Sequence, residues 1–317
     1  MTETLLSPMV LFFALGAFAA LARSDLSIPE AAGKAMAIYL MVAIGLKGGI
    51  AVAAEGATIN LVIAAAVGLL LSILLPLPVY GLARSIGNQS VTDAAAIAAH
   101  YGSVSVVTFV AGNEALNLAG VPASGYMVAV LAIMETPAIM VGLLLARRAG
   151  SQGSYGAGLL VHETALNGSV VLLVGSFAIG LTIGKDGFAQ IAPVFELGFR
   201  GVLCLFLLDM GLVAARRLRE TRSLTLRLIA LAVAIPVTNG LLGVTIASFV
   251  GLGIGNAAAM GILAASASYI AVPAAMRIAL PEANAGTSLA MSLGVTFPFN
   301  IAIGIPLYLL FASWMVG

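Results

Sequence analysis

The chain has 317 residues, of which 61% are hydrophobic and 9% are charged, with a mean hydropathy of +1.13. An ordinary soluble domain is about 25% charged, so a soluble enzyme, a nucleic-acid binder and a disordered tail are excluded at the outset. The net charge of +1 says nothing about partners, and the single Cys204 excludes a disulfide framework or a thiolate zinc site within one chain.

The apolar residues fall in runs of roughly the length that crosses a ~30 Å hydrocarbon core as a helix. Ten such spans are read at 7–22, 31–53, 59–83, 93–112, 121–146, 168–184, 193–214, 228–250, 257–277 and 287–314. Strands would be half as long and would alternate, so an all-α polytopic membrane protein is expected. The 36 glycines suit helices that approach closely. Ala17-Phe18-Ala19 has the form of a signal-peptidase site, but Glu3 and no Lys or Arg precede the first run, which is therefore kept as a span.

The basic residues segregate. Numbering the loops alternately, one side collects Arg23, Lys34, Arg84, Arg147, Arg148, Arg216, Arg217, Arg219, Arg222, Arg227 and Arg277, and the other only Lys47, Lys185 and Arg200. The Arg-rich side is expected to be cytoplasmic, with both termini outside.

Weak self-matches lie about half a chain apart. Leu77-Pro78-Val79-Tyr80 resembles Ile235-Pro236-Val237-Thr238, and the AAHYGSVS stretch over 98–105 resembles AASAS over 264–268. Pro137 and Pro298 follow the two Ser pairs in the same order. The expected organisation is one five-span repeat over 1–148, a polar Gly/Ser-rich cytoplasmic linker over 149–167 and a second repeat over 168–317. Five spans is an odd number, so the second repeat enters the membrane inverted, a signature of secondary transporters.

Such transporters bind their cargo where two helices are broken at mid-depth. Spans four and nine fit, with Gly102, Ser103, Val104 and Ser105 in one and Ser266, Ala267, Ser268 and Tyr269 in the other, Pro273 following. A break frees backbone N–H groups on the restarted half-helix, which with the helix dipole form an anion site. Ser can cap the new helix; Ser and Gly also serve simple helix packing. Glu135, mid-span before Pro137, and the oxygen-bearing Ser292, Thr296 and Asn300 around Pro298 offer ligands to a hard cation. A protonated or hydrogen-bonded structural Glu135 is an equal alternative. Asn239 is a further candidate or an interhelical hydrogen bond. Asp209 is expected to pair with the nearby Arg cluster, which holds its loop at the headgroups. His100 is expected to be a hydrogen-bonded structural residue without metal-ligand spacing to His162, Arg277 to snorkel, and Cys204 to be buried.

Ile28-Pro29-Glu30-Ala31, Ile44-Gly45-Leu46-Lys47-Gly48-Gly49, HYGSVSVVTF over 100–109, ASASYIAVP over 265–273 and TFPFN over 296–300 resemble the sodium-dependent bicarbonate permeases, the SbtA-like transporters. The resemblance runs from about residue 10 to 310. It implies ten transmembrane helices as two inverted five-helix repeats, a mobile core working against a scaffold, a homotrimer in the bacterial plasma (inner) membrane, and sodium-driven symport of bicarbonate held where two broken helices cross. Gly102, Ser105 and Thr108 match family positions in the first broken helix, Ser266 and Ser268 in the second, and Glu135 stands in the place of an acidic residue before the Pro. Thr108 thereby joins Glu135, Ser292, Thr296 and Asn300 as a candidate sodium ligand. The linker is much shorter than in the cyanobacterial type, which leaves its P-II-like regulatory partner an open question. No GxxxxGK[ST] motif occurs, so an ion gradient is the expected energy source, with no cofactor. The alternatives are a symporter of another small anion and a sodium/proton antiporter, which needs a titratable carboxylate at the crossing.

Overall fold

The computed structural model describes residues 7–56, 58–148, 168–220 and 224–317. The expected linker over 149–167, with His162, and Arg222 lie outside the described residues. Within them the regular structure is helical: α1 Pro8–Leu21, α2 Glu30–Glu55, α3 Ile59–Leu74, α4 Pro76–Ser85, α5 Val91–Gly102, α6 Val106–Leu118, α7 Met127–Glu135, α8 Pro137–Arg148, α9 Gly168–Ala189, α10 Phe199–Glu220, α11 Leu226–Phe249, α12 Ile254–Ala265, α13 Ala271–Ala279, α14 Ala285–Leu289 and α15 Ile305–Val316. The stretch between α14 and α15 is helical with two wide π segments, Ala290–Thr296 and Asn300–Gly304, on either side of Pro298.

Seven segments of the described residues are long and apolar enough to cross a membrane: Glu30–Ala54, Ile59–Ser85, Val91–Leu118, Met127–Arg148, Gly168–Ala189, Leu226–Phe249 and Ala285–Val316. Ten were expected, and the other three fall short for physical reasons. Helix α1 has only 14 residues, about 21 Å of helix. Helix α10 carries Arg200, Asp209, Arg216, Arg217 and Arg219. The span-nine region is divided into α12 and α13 by the non-helical residues 266–270. Exposed Leu11, Phe18, Ile59, Val62, Ile179 and Trp314 present apolar surface outward, as a lipid-facing exterior requires.

Span ends moved where polar chemistry sets them. Span five starts as helix only at Met127, because Pro122 and Gly125 hold a turn whose Ser124 N–H donates to Asn256 Oδ1 (2.7 Å). Span seven runs to Glu220 rather than 214, so Arg216, Arg217 and Arg219 sit on helix α10 and not in a loop. Arg216 and Arg219 donate to the carbonyls of Leu26 (2.8 Å) and Ala20 (3.3 Å) at the turn after α1. Asp209 has no charged partner within 4 Å among the described residues, although the Arg216 charge acts on it as expected, and this buried carboxylate faces the bare Cα of Gly33. Cys204 is half-buried rather than buried.

Two helix pairs join the halves of the chain by backbone contact: α2 packs along α9, and α1 along α10. A Cβ at Gly45 or Gly49 would strike Ser176, Leu173 or the Phe177 carbonyl of α9, and one at Gly180 would strike the Leu46 carbonyl of α2. Gly16 and Gly211 make the same approach between α1 and α10. These are small-residue seams, in which dispersion replaces the hydrophobic drive that lipid cannot supply. The remaining helices pack as α3 with α7, α5 with α4 and α8, and α11 and α12 with α15.

The α2–α9 seam predicts that Gly49→Val will destabilise the protein by about 2 kcal/mol or more, the scale of overpacking against an unyielding neighbour. Gly175→Ala, whose Cβ meets nothing within 4 Å, should change it by less than about 0.5 kcal/mol. Thermal unfolding of the detergent-solubilised chain compares the two.

Candidate functional site

Helix α5 closes at Gly102. Ser103 is extended (φ −83°, ψ 173°) and its N–H bonds back to the Ala99 carbonyl at 3.1 Å. Ser105, also extended, caps α6 with its Oγ accepting from Thr108 N (3.2 Å). The other interruption repeats the pattern. Helix α12 closes at Ala265, Ser266 is extended (φ −77°, ψ 158°), and Ser268 Oγ accepts from Val272 N (3.4 Å) in the first turn of α13, which also holds Pro273. Gly102 is required by contact: a Cβ there would collide with the Pro76 ring and with Ala138.

The two interruptions bind each other. Ser105 N–H donates to Ser266 Oγ (2.9 Å), Ser268 N–H donates to the His100 carbonyl (2.8 Å), and His100 Nδ1 bonds the Ser268 carbonyl (2.5 Å). Ser266 Oγ in turn donates to Leu263 O (2.8 Å). His100 is thus the hydrogen-bonded residue that was expected. The Tyr269 hydroxyl is buried in electrostatic contact with Ser105 but without a well-formed hydrogen bond. Gly102, Ser103, Val104, Ser105, Ser266, Ala267, Ser268 and Tyr269 are therefore brought together, all buried.

Thr136 and Pro137 interrupt the α7–α8 run. Ile139 N–H turns to the Thr136 carbonyl (3.1 Å), which releases the Glu135 carbonyl to accept from Ser103 Oγ (2.9 Å), while Ser72 Oγ takes the Met134 carbonyl (2.7 Å). Glu135 is thus tied through its backbone to the first interruption. Its carboxylate Oε2 is buried without a hydrogen-bond partner among the described residues, a placement that is costly for a bare charge unless a proton or a cation neutralises it. Thr108, one turn into α6, is buried as well.

The other candidate cation ligands have protein partners. Pro236 lacks an N–H and so frees the Ala232 carbonyl four residues back; Thr296 Oγ1 donates to it (2.6 Å) and receives Tyr101 OH (2.7 Å). Asn300 Nδ2 donates to the Ala265 carbonyl at the end of α12 (2.9 Å), and its Oδ1 accepts from Tyr308 OH (3.1 Å). Ser292 Oγ bonds the Ser288 carbonyl of its own helix (2.8 Å). Asn239 is buried with its Nδ2 unpartnered, in place of an interhelical bond.

Sequence reasoning missed an outer polar cluster. Glu114 on α6 pairs with Arg200 on α10 at 2.5 Å, and Lys47 lies 4.4 Å over the Phe199 ring. The Asn113-Glu114 pair and the lone Arg200 in an apolar run were the available signal.

A profile of the Na+-dependent bicarbonate transporter superfamily matches residues 8–313. The chain belongs to this superfamily. Membership makes it a membrane transporter and not an enzyme, and accords with its seven long apolar helical segments. No curated protein matches the chain with significant similarity.

Ser266→Ala would leave the buried Ser105 N–H without its acceptor, and should lower stability by about 1–3 kcal/mol. Removing the exposed Ser85 hydroxyl, which bonds only Gly81 O of its own helix, should cost less than about 0.5 kcal/mol. Denaturation midpoints of the two alanine variants decide between a structural contact and an idle one.

Proposed function

We propose that this member of the superfamily is a secondary active transporter that symports bicarbonate with sodium by alternating access, the anion binding where the two interruptions meet. The observation that carries the proposal is the reciprocal bonding of Ser105, Ser266, Ser268 and His100 beside a partnerless buried carboxylate oxygen of Glu135. The first turns of α6 and α13 each present N–H groups with no carbonyl one turn back, so an anion entering between Ser105 and Ser266 would be met by donors from both. Sodium near Glu135 and Thr108 would neutralise the carboxylate and offset the anion. In that reading Thr296 and Asn300 hold the frame, and join the ion only by exchanging their present partners; Ser292 would have to leave its helix carbonyl.

The ten-span inverted repeat belongs to the same proposal. It is supported by matched helix–Ser–helix interruptions in the two halves and by the pairing of α1 with α10 and α2 with α9, which a pseudo-twofold relating 1–148 to 168–317 would exchange. In this arrangement α1, α10 and the α12–α13 pair also cross the membrane. The Arg-rich ends face the cytoplasm and both termini face outward. A homotrimer and a P-II-like partner rest on the family resemblance alone.

Reconstituted chain should take up labelled bicarbonate only under an inward sodium gradient, and uptake unchanged when choline replaces sodium would overturn the symport. Ser105→Leu and Ser268→Leu should each abolish uptake while leaving the chain folded; wild-type rates in both would place the anion elsewhere. The orphan Glu135 oxygen also favours the sodium/proton antiporter, which would move protons against sodium in bicarbonate-free vesicles. Under symport, Glu135→Gln should raise the half-saturating sodium concentration about tenfold or more, the scale of losing one charged ligand, and no sodium-driven proton flux should appear. Uptake measured against sodium concentration tests the first, and a pH-sensitive dye in the lumen the second.

A further inference from the structure

A second cavity, mostly apolar with a few polar groups in its wall, lies beside His100 at the Arg277 end of α13, next to the crossing but distinct from it. It has a volume of about 120 Å³, and its wall includes Ala96 and His100 of α5, Pro273 and Arg277 of α13, and Ala285 and Ser288 of α14. Three features point to a ligand. Arg277 is exposed, and no carboxylate lies within ion-pair distance of it among the described residues. The Ser288 hydroxyl is buried and has no hydrogen-bond partner. His100 is held through Nδ1 on the Ser268 carbonyl; a carbonyl only accepts, so Nδ1 carries the proton and Nε2 of the neutral ring is an acceptor. The rim is fixed, since Asn284 N–H is tied to Asp93 Oδ1 on α5 at 2.7 Å.

We propose that this cavity is a second anion station, one step to the Arg-rich side of the crossing, built for a small oxyanion that carries a hydrogen. The Arg277 guanidinium and the Ser288 hydroxyl donate to the anion oxygens, and His100 Nε2 accepts the anion's O–H. The volume is ample for one such ion. Because His100 belongs to both places, an anion leaving the crossing passes directly to this station. The three donor and acceptor roles match bicarbonate and mismatch nitrate, which has no O–H to give and would leave Nε2 unpaired. The proposal rests on the anion reading of the crossing, but its own residues, Arg277 and Ser288, lie outside that contact.

The test is equilibrium binding of labelled bicarbonate to the purified full chain at saturating sodium. Two equivalents per chain are expected. Arg277→Gln should bind one, Arg277→Lys two, and Ser268→Leu should keep the equivalent that Arg277→Gln loses. Ser288→Ala, which removes only a hydroxyl, should weaken that same equivalent several-fold, and nitrate should compete for it about tenfold less well than bicarbonate. An unchanged number of equivalents and unchanged affinity in both Arg277→Gln and Ser288→Ala overturns the station. If Ser268→Leu instead retains both equivalents while Arg277→Gln loses one, the crossing reading fails and the station stands.

Discussion

Backbone released from helical bonding inside lipid must find partners within the protein, because the hydrocarbon offers none. This chain is released twice at depth, at Ser103–Ser105 and at residues 266–270, and each interruption supplies what the other lacks. The Ser105 N–H goes to Ser266, and the Ser268 N–H goes to the carbonyl of His100, an orphan of the last turn of α5. Neither half satisfies its interruption alone, so residues more than 160 apart in sequence must meet before either is stable. The same bonds are few and geometrically simple, and an anion could replace them with little rearrangement. One constraint thus fixes the fold and leaves a place for cargo.

Proline placement extends this logic outward. A proline inside a helix orphans the carbonyl four residues back, and at Pro236 that orphan is met by a hydroxyl from another segment. Thr296 answers the carbonyl freed by Pro236, and Ser72 and Ser103 answer those released around Thr136 and Pro137. Tyr101 then bonds Thr296, which links the first interruption to α11 and to the π segments around Pro298. Most buried hydroxyls are therefore committed to frame bonds. Among the described residues the exceptions include Glu135 Oε2, Asn239 Nδ2, Ser248 Oγ, Tyr269 OH and Ser288 Oγ. Of these, Glu135 Oε2 lies beside the first interruption, and Ser288 Oγ lines a cavity with His100 and Arg277.

The sequence made the helical class, the membrane setting and the family legible, because apolar run length and the Ser/Gly/Pro stretches are local signals. It was less informative wherever partners lie far apart in the chain. Thr296 and Asn300 read as free oxygen ligands, since the Ala232, Tyr101 and Ala265 that hold them are distant in sequence, whereas Ser292 is held locally by the Ser288 carbonyl of the preceding turn. Asp209 read as an ion-pair partner of the Arg cluster; Arg216 does act on it by charge, but Arg216 and Arg219 give their hydrogen bonds to the carbonyls of Leu26 and Ala20. Helix ends drifted for a related reason. The Arg200 partner of Glu114 lets α6 run on to Leu118, past the point where apolar character stops.

The two kinds of contact in this fold also differ in what they allow to move. In the α2–α9 and α1–α10 seams, glycines bring backbone against backbone, and sliding would drive a carbonyl into a Cα. Those pairs must move as blocks. Where α2 faces α6 and the second interruption, the surfaces are aliphatic, with Leu40 and Met41 opposite Val106, Val107 and Val110. Such a surface has no directional bonds to break, so translation across it is cheap as long as the area stays covered. Among the described residues, the one ion pair joining the seam helices to the crossing bundle is Glu114–Arg200. A half-exposed pair of that kind contributes little to stability, yet its geometry is specific to one relative position. Glycine seams therefore hold α1 to α10 and α2 to α9, while α2 meets the other helices through the aliphatic face at α6 and a close glycine approach at Gly48 and Gly125, and α10 meets α6 through the Glu114–Arg200 pair.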